Sequence, residues 1–286
     1  MDRTPDYREG DHDPRDRAQQ PHQERPNSPP AQSSTRSRQD VRYAHRTYAF
    51  NADERAVLLD LGRFRVIAAS DLKQLCYSAY VGRMQQDLRS LLAQGMVQQK
   101  TVWLGRPRAK ATFYSLTMAG KNFLKCEIKG SDQALYSGFV KPAELGHDAA
   151  IYPAFHREAE RIAREGGTVR RVILDFELKK KVYPALARAR ALSAAEYTQR
   201  QAEIAHAHGL KVINGHIALP DLRIEYTLPS GASAQVDVEV ASESYHGSHA
   251  AEKAAAGFRI YAAHDTAARL SAALDEREIT AEILAL

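Results

Sequence analysis

The sequence predicts an α/β protein of the α+β kind, built as two folded units in series. Three observations predict it. From Asn51 to about Gly95 the apolar residues recur at helical spacing, and the period then changes to strand-like alternation. Residues 129–143, with Gly, Ser and Pro spread along them, interrupt both patterns. Beyond them the order is helix, strand, strand, strand, helix, strand, which suggests a mixed sheet covered by helices. At 286 residues the chain can supply two modest cores.

Residues 1–42 are read as a disordered polar tail. The first forty carry half of the prolines, charges of both signs and almost no large apolar side chain, so burial cannot offset the entropy of ordering them. Arg15, Arg17, Arg36 and Arg38 are available for phosphates, but neighbouring acids nearly cancel them, and a solvated tail is the expectation.

Residues 43–128 form the first unit. Asn51 is a capping candidate for a helix with Val57, Leu58 and Leu61 on its apolar face. "SDLKQLCY" is a second, short helix with Ser70 as its cap. "VGRMQQDLRSLLAQG" is a third, with Met84, Leu88, Leu91 and Leu92 on one face and Gly95 at its end. "MVQQKTVWL" and "ATFYSLT" then read as two strands around the basic turn "GRPRAK", and "MAGKNFLK" returns to helix. Three helices followed by a basic hairpin is the order of a winged helix-turn-helix. The third helix offers Arg83, Gln86 and Arg89 to a DNA groove, and the hairpin offers Arg106, Arg108 and Lys110 to phosphates. The alternative use of such a unit is protein contact alone.

Residues 129–143 are read as a linker, and 144–286 as the second unit. "HDAAIYPAFHREAERIAREGG" is helical, with Pro153 as a kink or a fresh start. "TVRRVILDFEL" alternates Val172, Leu174, Phe176 and Leu178 on one face and reads as a strand. "SAAEYTQRQAEIAHAHG" is a polar inserted helix. Two strands follow, joined by a turn at Pro229-Ser-Gly, then the helices "GSHAAEKAAAGFRIYAA" and "TAARLSAALDE", and a last apolar run, "ITAEILAL".

The strand "VDVEVA" places Asp237, Glu239 and Ala241 on one face and three valines on the other. Burying such acids without a cation or partners costs several kcal/mol per charge, roughly, so they either meet solvent or form a site. The turn folds Asp221 back beside them. An oxygen cluster of this kind suits a hard cation such as Mg2+ or Mn2+, which can activate water for phosphodiester cleavage.

This order resembles the PD-(D/E)xK nuclease-like fold. The resemblance makes Pro220-Asp221 the Pro-Asp step, Glu239 the acid of the second strand and Glu158 the helix acid. The implied metal set is Glu158, Asp221, Asp237 and Glu239. Position 241, where the fold usually keeps its lysine, is Ala. Some members carry the lysine on the next helix, where this chain has Lys253, with Tyr261 two turns later. The implied catalytic residues are therefore Asp221, Glu239 and Lys253. Together with "LLAQGMV", "YSLTMAGKNFL" and His147-Asp148, the two units look like the plasmid replication-relaxation family over about 45–265. Ser242, directly after Ala241, departs from the acid-Arg step expected there.

Other constellations carry less. His147-Asp148 lacks the further ligands of a His-Asp phosphohydrolase, and a capping or structural role is expected. His206 and His208 lie at a helix end, and His246 and His249 at a helix start, where solvated side chains are the expectation. There is no Gly-rich phosphate loop and no Ser/His/Asp arrangement that spacing supports. Cys76 and Cys126 lack metal-ligand spacing, which argues against a disulfide framework or a Cys-based zinc site and for a reducing compartment. The polar N-terminus and the lack of a long apolar run predict a cytoplasmic protein without a membrane partner. The net charge of +5 is compatible with nucleic acid and weighs lightly.

The first expectation is thus a DNA-binding protein of a plasmid or other mobile element, docking on double-stranded DNA, with no certain cofactor and with a homodimer or protein partner left open. The second is a magnesium-dependent DNA nuclease. The third is an antitoxin-like regulator whose second unit binds a protein.

Overall fold

The computed structural model describes residues 37–104, 109–275 and 282–286. Among them, Arg38–Leu286 is one compact unit. The fold is mixed α/β with a mixed five-stranded sheet. Arg106 and Arg108 lie outside the described residues, as do Arg15, Arg17 and Arg36.

The folded chain opens with a hairpin that the sequence does not predict, β1 (Gln39–Tyr43) and β2 (Arg46–Phe50). Its turn is made by Ala44 and His45, both at positive φ. That conformation is usually marked by Asn or Gly, so the turn leaves no signature in the sequence. Tyr43, Tyr48 and Phe50 meet Phe123 in one aromatic cluster, which seats the hairpin. Arg38 does not face solvent phosphates. It bonds Glu54 Oε1 at 2.6 Å and Ser90 Oγ at 2.9 Å.

Helix α1 (Ala52–Phe64) starts in a capping box. Asn51 accepts from the Glu54 N–H, and Glu54 accepts from the Asn51 N–H. After β3 (Ile67–Ala68), α2 (Ala69–Asp71) runs on into π-helical turns at Leu72–Cys76. It begins two residues earlier than a Ser70 cap predicts, with Ala68 before it, so Ser70 lies inside the first turn rather than at the cap. Helix α3 (Val81–Ala93) buries Met84, Leu88 and Leu91 as the spacing predicts. The strands β4 (Val97–Leu104) and β5 (Ala109–Leu116) pair in register, β3 joins β5 from the other side, and α4 (Met118–Glu127) follows with Thr117 as its cap. A Cβ at Gly120 has no room against the Met96 carbonyl, which explains a glycine in the first turn of that helix.

Residues 129–143 take no regular secondary structure, yet Leu135 and Val140 are buried. Leu135 packs on Gly62 of α1. The Gln133 amide pairs with both the N–H and the C=O of Val172, 2.9 Å each, which satisfies part of an open strand edge.

Helix α5 (Leu145–Arg164) is continuous through Pro153 and packs against α1 and the large sheet. Strand β6 (Thr168–Leu174) is shorter than the alternation suggests. The chain turns at Asp175, whose N–H bonds the Asp221 carbonyl, and α6 (Asp175–Ala189) carries Phe176 and Leu178 on a helix instead. Next come α7 (Ala194–Ala207), the short pair β7 (Val212–Ile213) and β8 (His216–Ile217), and the hairpin of β9 (Leu222–Thr227) and β10 (Ser233–Ala241). Helix α8 (Gly247–Ala256) ends at Gly257 in the left-handed conformation, so "GFRIYAA" is not its continuation. It supplies β11 (Arg259–Ala262), followed by α9 (His264–Asp275) and β12 (Ile283–Ala285). The sheet order is β12-β11-β10-β9-β6, with β10, β11 and β12 parallel and β10-β9-β6 antiparallel.

Register decides which side chains share a face. Val238 and Val240 lie opposite Arg259 and Tyr261, on the side packed by Phe155 and Ile162 of α5. Glu239 and Ala241 lie opposite Ile260 and Ala262, on the side packed by Ala250 of α8 and Leu270 of α9. Among the described residues, no helix is long and apolar enough to cross a membrane.

Candidate functional site

Two regions hold the residues that the sequence singles out. The first is the outer face of α3. With Met84, Leu88 and Leu91 committed to the core, helical geometry turns Arg83, Gln86 and Arg89 outward, and all three are exposed. The Arg83 guanidinium lies 5.3 Å from the Tyr80 ring centre, and Arg89 Nε donates to the Gln85 carbonyl at 3.1 Å. Among the described residues none of the three is in an ion pair. The groove between this helix and the hairpin is lined by Gln85, Arg89, Gln99 and Tyr114. Lys110 is exposed on β5, opposite Trp103, a tryptophan that is 63% exposed on β4. Trp103 and Tyr80 were not among the expected contacts. Their signal is visible only once exposure is known, because large apolar residues in an amphipathic element are ordinarily core.

The second region lies at the carboxyl end of β10. Asp221 precedes β9, and its Oδ2 accepts the Val240 N–H at 2.9 Å, which pins it beside the strand. His147, at the start of α5, approaches Asp221 with Nε2 3.2 Å from Oδ1. Glu239 projects from β10 and accepts from Tyr245 Oη at 2.8 Å and Lys253 Nζ at 2.9 Å. Lys253 therefore does reach in from α8, and it also donates to the Leu219 carbonyl at 2.5 Å. Asp221, Glu239 and Lys253 are brought together, with His147 and Tyr245 added to them. From sequence Tyr245 has no role, and for His147 only a capping or structural one is expected. His147 is recognisable only once β9 is folded against α5, since nothing local in "GHDAA" names its partner.

The charges of this cluster are interdependent. The hydrogen bond to Asp221 raises His147, against the effect of burial, and the negative charges of Asp221, Asp148 and Glu239 add to the rise, to about 9. Burial pushes Glu239 up to about 7, the Asp221 charge adds to this, and Lys253 and Tyr245 hold it back. Asp148 rises to about 6, chiefly from burial. A cavity of about 300 Å3 opens beside the cluster, lined by Asp175, Lys179, Tyr183, Asp221, Glu252 and Lys253 among others.

No protein-family model matches this chain, and no curated protein sequence matches it either. Among solved structures, Bacillus subtilis PadR in complex with operator DNA aligns at 13% identity, over 55% of this chain and 94% of that one, with a TM-score of 0.23. At that TM-score the likeness decides nothing about fold or function.

Two of the expected metal ligands stand apart from the cluster. Asp237 shares the Glu239 face, but Arg223 lies directly across the hairpin and takes both of its oxygens, Nε at 2.6 Å and Nη2 at 2.8 Å. Glu158 is on the opposite side of the sheet, where it accepts from Tyr261 Oη at 2.7 Å and pairs with Arg161 and Arg259. The oxygens of Asp221 and Glu239 are already engaged by His147, Val240, Tyr245 and Lys253. Among the described residues, no group of three or more His, Cys, Asp or Glu side chains is arranged to hold a metal ion. The donor set in this arrangement thus does not fit the Mg2+ or Mn2+ that the nuclease resemblance implies. His246 and His249 lie at the start of α8 with ring centres 6.1 Å apart, and His208 caps the end of α7.

Proposed function

We propose that this protein binds double-stranded DNA through a winged helix made of α1–α4 and β3–β5, joined to a PD-(D/E)xK-like sheet unit. The observation that carries it is the outer face of α3: three groove-reading side chains, Arg83, Gln86 and Arg89, are exposed and outside any ion pair among the described residues, next to a hairpin bearing Lys110. Arg and Gln at successive turns are the side chains that pair with guanine and adenine edges in a major groove, and a basic hairpin suits the flanking backbone. A role at a plasmid or other mobile element, in replication, relaxation or its regulation, belongs to the same proposal and is supported by the order of the two units. Selection of bound duplexes from a random pool tests it. Wild type should enrich a defined sequence, and Arg89→Ala should relax that preference at one position by about 1–3 kcal/mol. Enrichment of no sequence, with no change in the variant, would defeat it.

A second reading, phosphodiester cleavage, is favoured by one observation: Asp221, Glu239 and Lys253 converge beside a cavity. A plasmid nicking assay with magnesium and with manganese decides it, since cutting that is abolished in both Asp221→Ala and Glu239→Ala makes the protein an enzyme.

A further inference from the structure

Four cations meet on a surface that neither reading uses. Lys121 and Lys125 stand one turn apart on α4, where like charges repel. Arg65 follows α1 with φ 66° and ψ −51°, and the Val66 N–H bonds the Phe64 carbonyl across it at 2.7 Å. This is a γ-turn of the strained, positive-φ hand, uncommon for a bulky residue. It aims the guanidinium over the Phe176 ring of α6 at 4.7 Å. Lys180, one helical turn beyond Phe176, is exposed on the same side of α6.

The acids nearby do not balance this group. Glu127 of α4 is taken by Arg55, Glu177 of α6 by Arg171 and Lys181, and Asp175 by Lys179. Asp148 of α5 is within electrostatic reach of Arg65, but it is itself half-buried beside His147. Among the described residues none of the four cations is in an ion pair. Helix α4 packs on α1, and Arg65 at the end of α1 reaches Phe176 of α6, so three separate segments meet there. In keeping with this, burial lowers Lys121 below the ordinary lysine range, and the charges of Lys125, Lys180 and Arg65 lower it further. Backbone strain and uncompensated like charge are both costs to the folded chain, and such costs concentrate where a ligand later offsets them.

We propose that Arg65, Lys121, Lys125 and Lys180 form a second DNA contact, which grips the phosphate backbone of a duplex beside the Asp221 cleft. Lys179, the residue before Lys180 on α6, lines that cleft. The proposal rests on the DNA-binding reading and adds a region to it that carries no base readout.

The test is duplex binding by the full chain over a range of salt, for wild type and for Lys121→Gln/Lys125→Gln/Lys180→Gln. Removing one cation that neutralises a phosphate flattens the logarithmic salt slope by about 0.9. The triple variant should therefore reduce the slope by about 2 to 3 units, weaken equally on every sequence, and melt no lower than wild type. Lys125→Gln alone, a change at an exposed position, should reduce it by about 0.9. An unchanged slope in the triple variant, where wild type does bind DNA, overturns this surface and leaves the α3 reading standing. A wild type that binds no duplex overturns both. Binding to vesicles of anionic lipid that disappears in the triple variant, with the DNA slope unchanged, assigns the surface to a membrane and overturns the proposal as well.

Discussion

Two glutamates, one on each face of the large sheet, are buried almost equally and are built for different purposes. Glu158, on the α5 face, is fully enclosed. Arg161 Nη2 at 2.6 Å, Arg259 Nε at 3.0 Å and the Tyr261 hydroxyl at 2.7 Å surround it with an excess of positive charge. Glu239, on the α8 face, has a single lysine, a tyrosine and a second carboxylate as neighbours, and a cavity adjoins the cluster. The first arrangement is a cross-brace that ties α5 to β11. The second leaves an acid raised toward neutrality beside open space, which a brace has no use for. Burial of an acid is thus a poor guide to its role. What separates the two is the sign of the surrounding charge and the presence of open space.

The largest expected effect breaks the brace. Glu158→Ala strands two guanidinium groups against the sheet and should cost about 3 kcal/mol, read from the urea midpoint. Glu239→Ala should cost clearly less, because it relieves Asp221 and leaves Lys253 its bond to the Leu219 carbonyl. Equal costs would erase the distinction between the faces.

A smaller effect sharpens it through pH. Glu239 is raised in the folded state, so the fold holds a proton that the unfolded chain has released. The Glu239 contribution to stability should therefore fall as pH rises from the ordinary glutamate range to about 7 and then level off. In Glu239→Gln that contribution should disappear while those of Asp148 and His147 remain, and a difference between the two proteins that stays flat from about pH 4.5 to about 8 would contradict the account.

The smallest effect is on one imidazole. His147 is raised to about 9, so the stability it contributes is full below its unfolded value near 6.5 and is lost as pH climbs through about 9. Asp221→Asn removes the main cause, and burial should then bring the His147 midpoint clearly down from about 9, as followed by NMR titration of the ring. A midpoint that stays near 9 would mean that Asp221 is not its partner.

The legible parts of this fold are those in which local signals agree. The β9–β10 hairpin is readable from Pro229-Ser-Gly and from the alternation of Val236, Val238 and Val240, but the register that sets Arg223 opposite Asp237, and so takes Asp237 out of the expected metal set, comes from the structure. Lys253 is named only through the resemblance to the nuclease-like fold, some members of which carry the lysine on the next helix. Helix α6 is hidden, since Phe176 and Leu178 continue the alternation of β6, and only the Asp175–Asp221 backbone bond, a long-range contact, turns the chain. The β1–β2 hairpin is hidden by a turn of Ala and His. His147 and Arg65 owe their roles to partners on other elements, and no spacing rule reaches them.

Amide hydrogen exchange of the full chain, with and without the selected duplex, tests the central claim most directly, because it reports where DNA lies. The account predicts protection on binding at the exposed start of α3 and along β4 and β5, together with weaker protection around Arg65, Lys121 and the first turns of α6. Protection confined to the large sheet and its helices, with α3 unchanged, would show that α3 and the β4–β5 hairpin are not the DNA-binding surface.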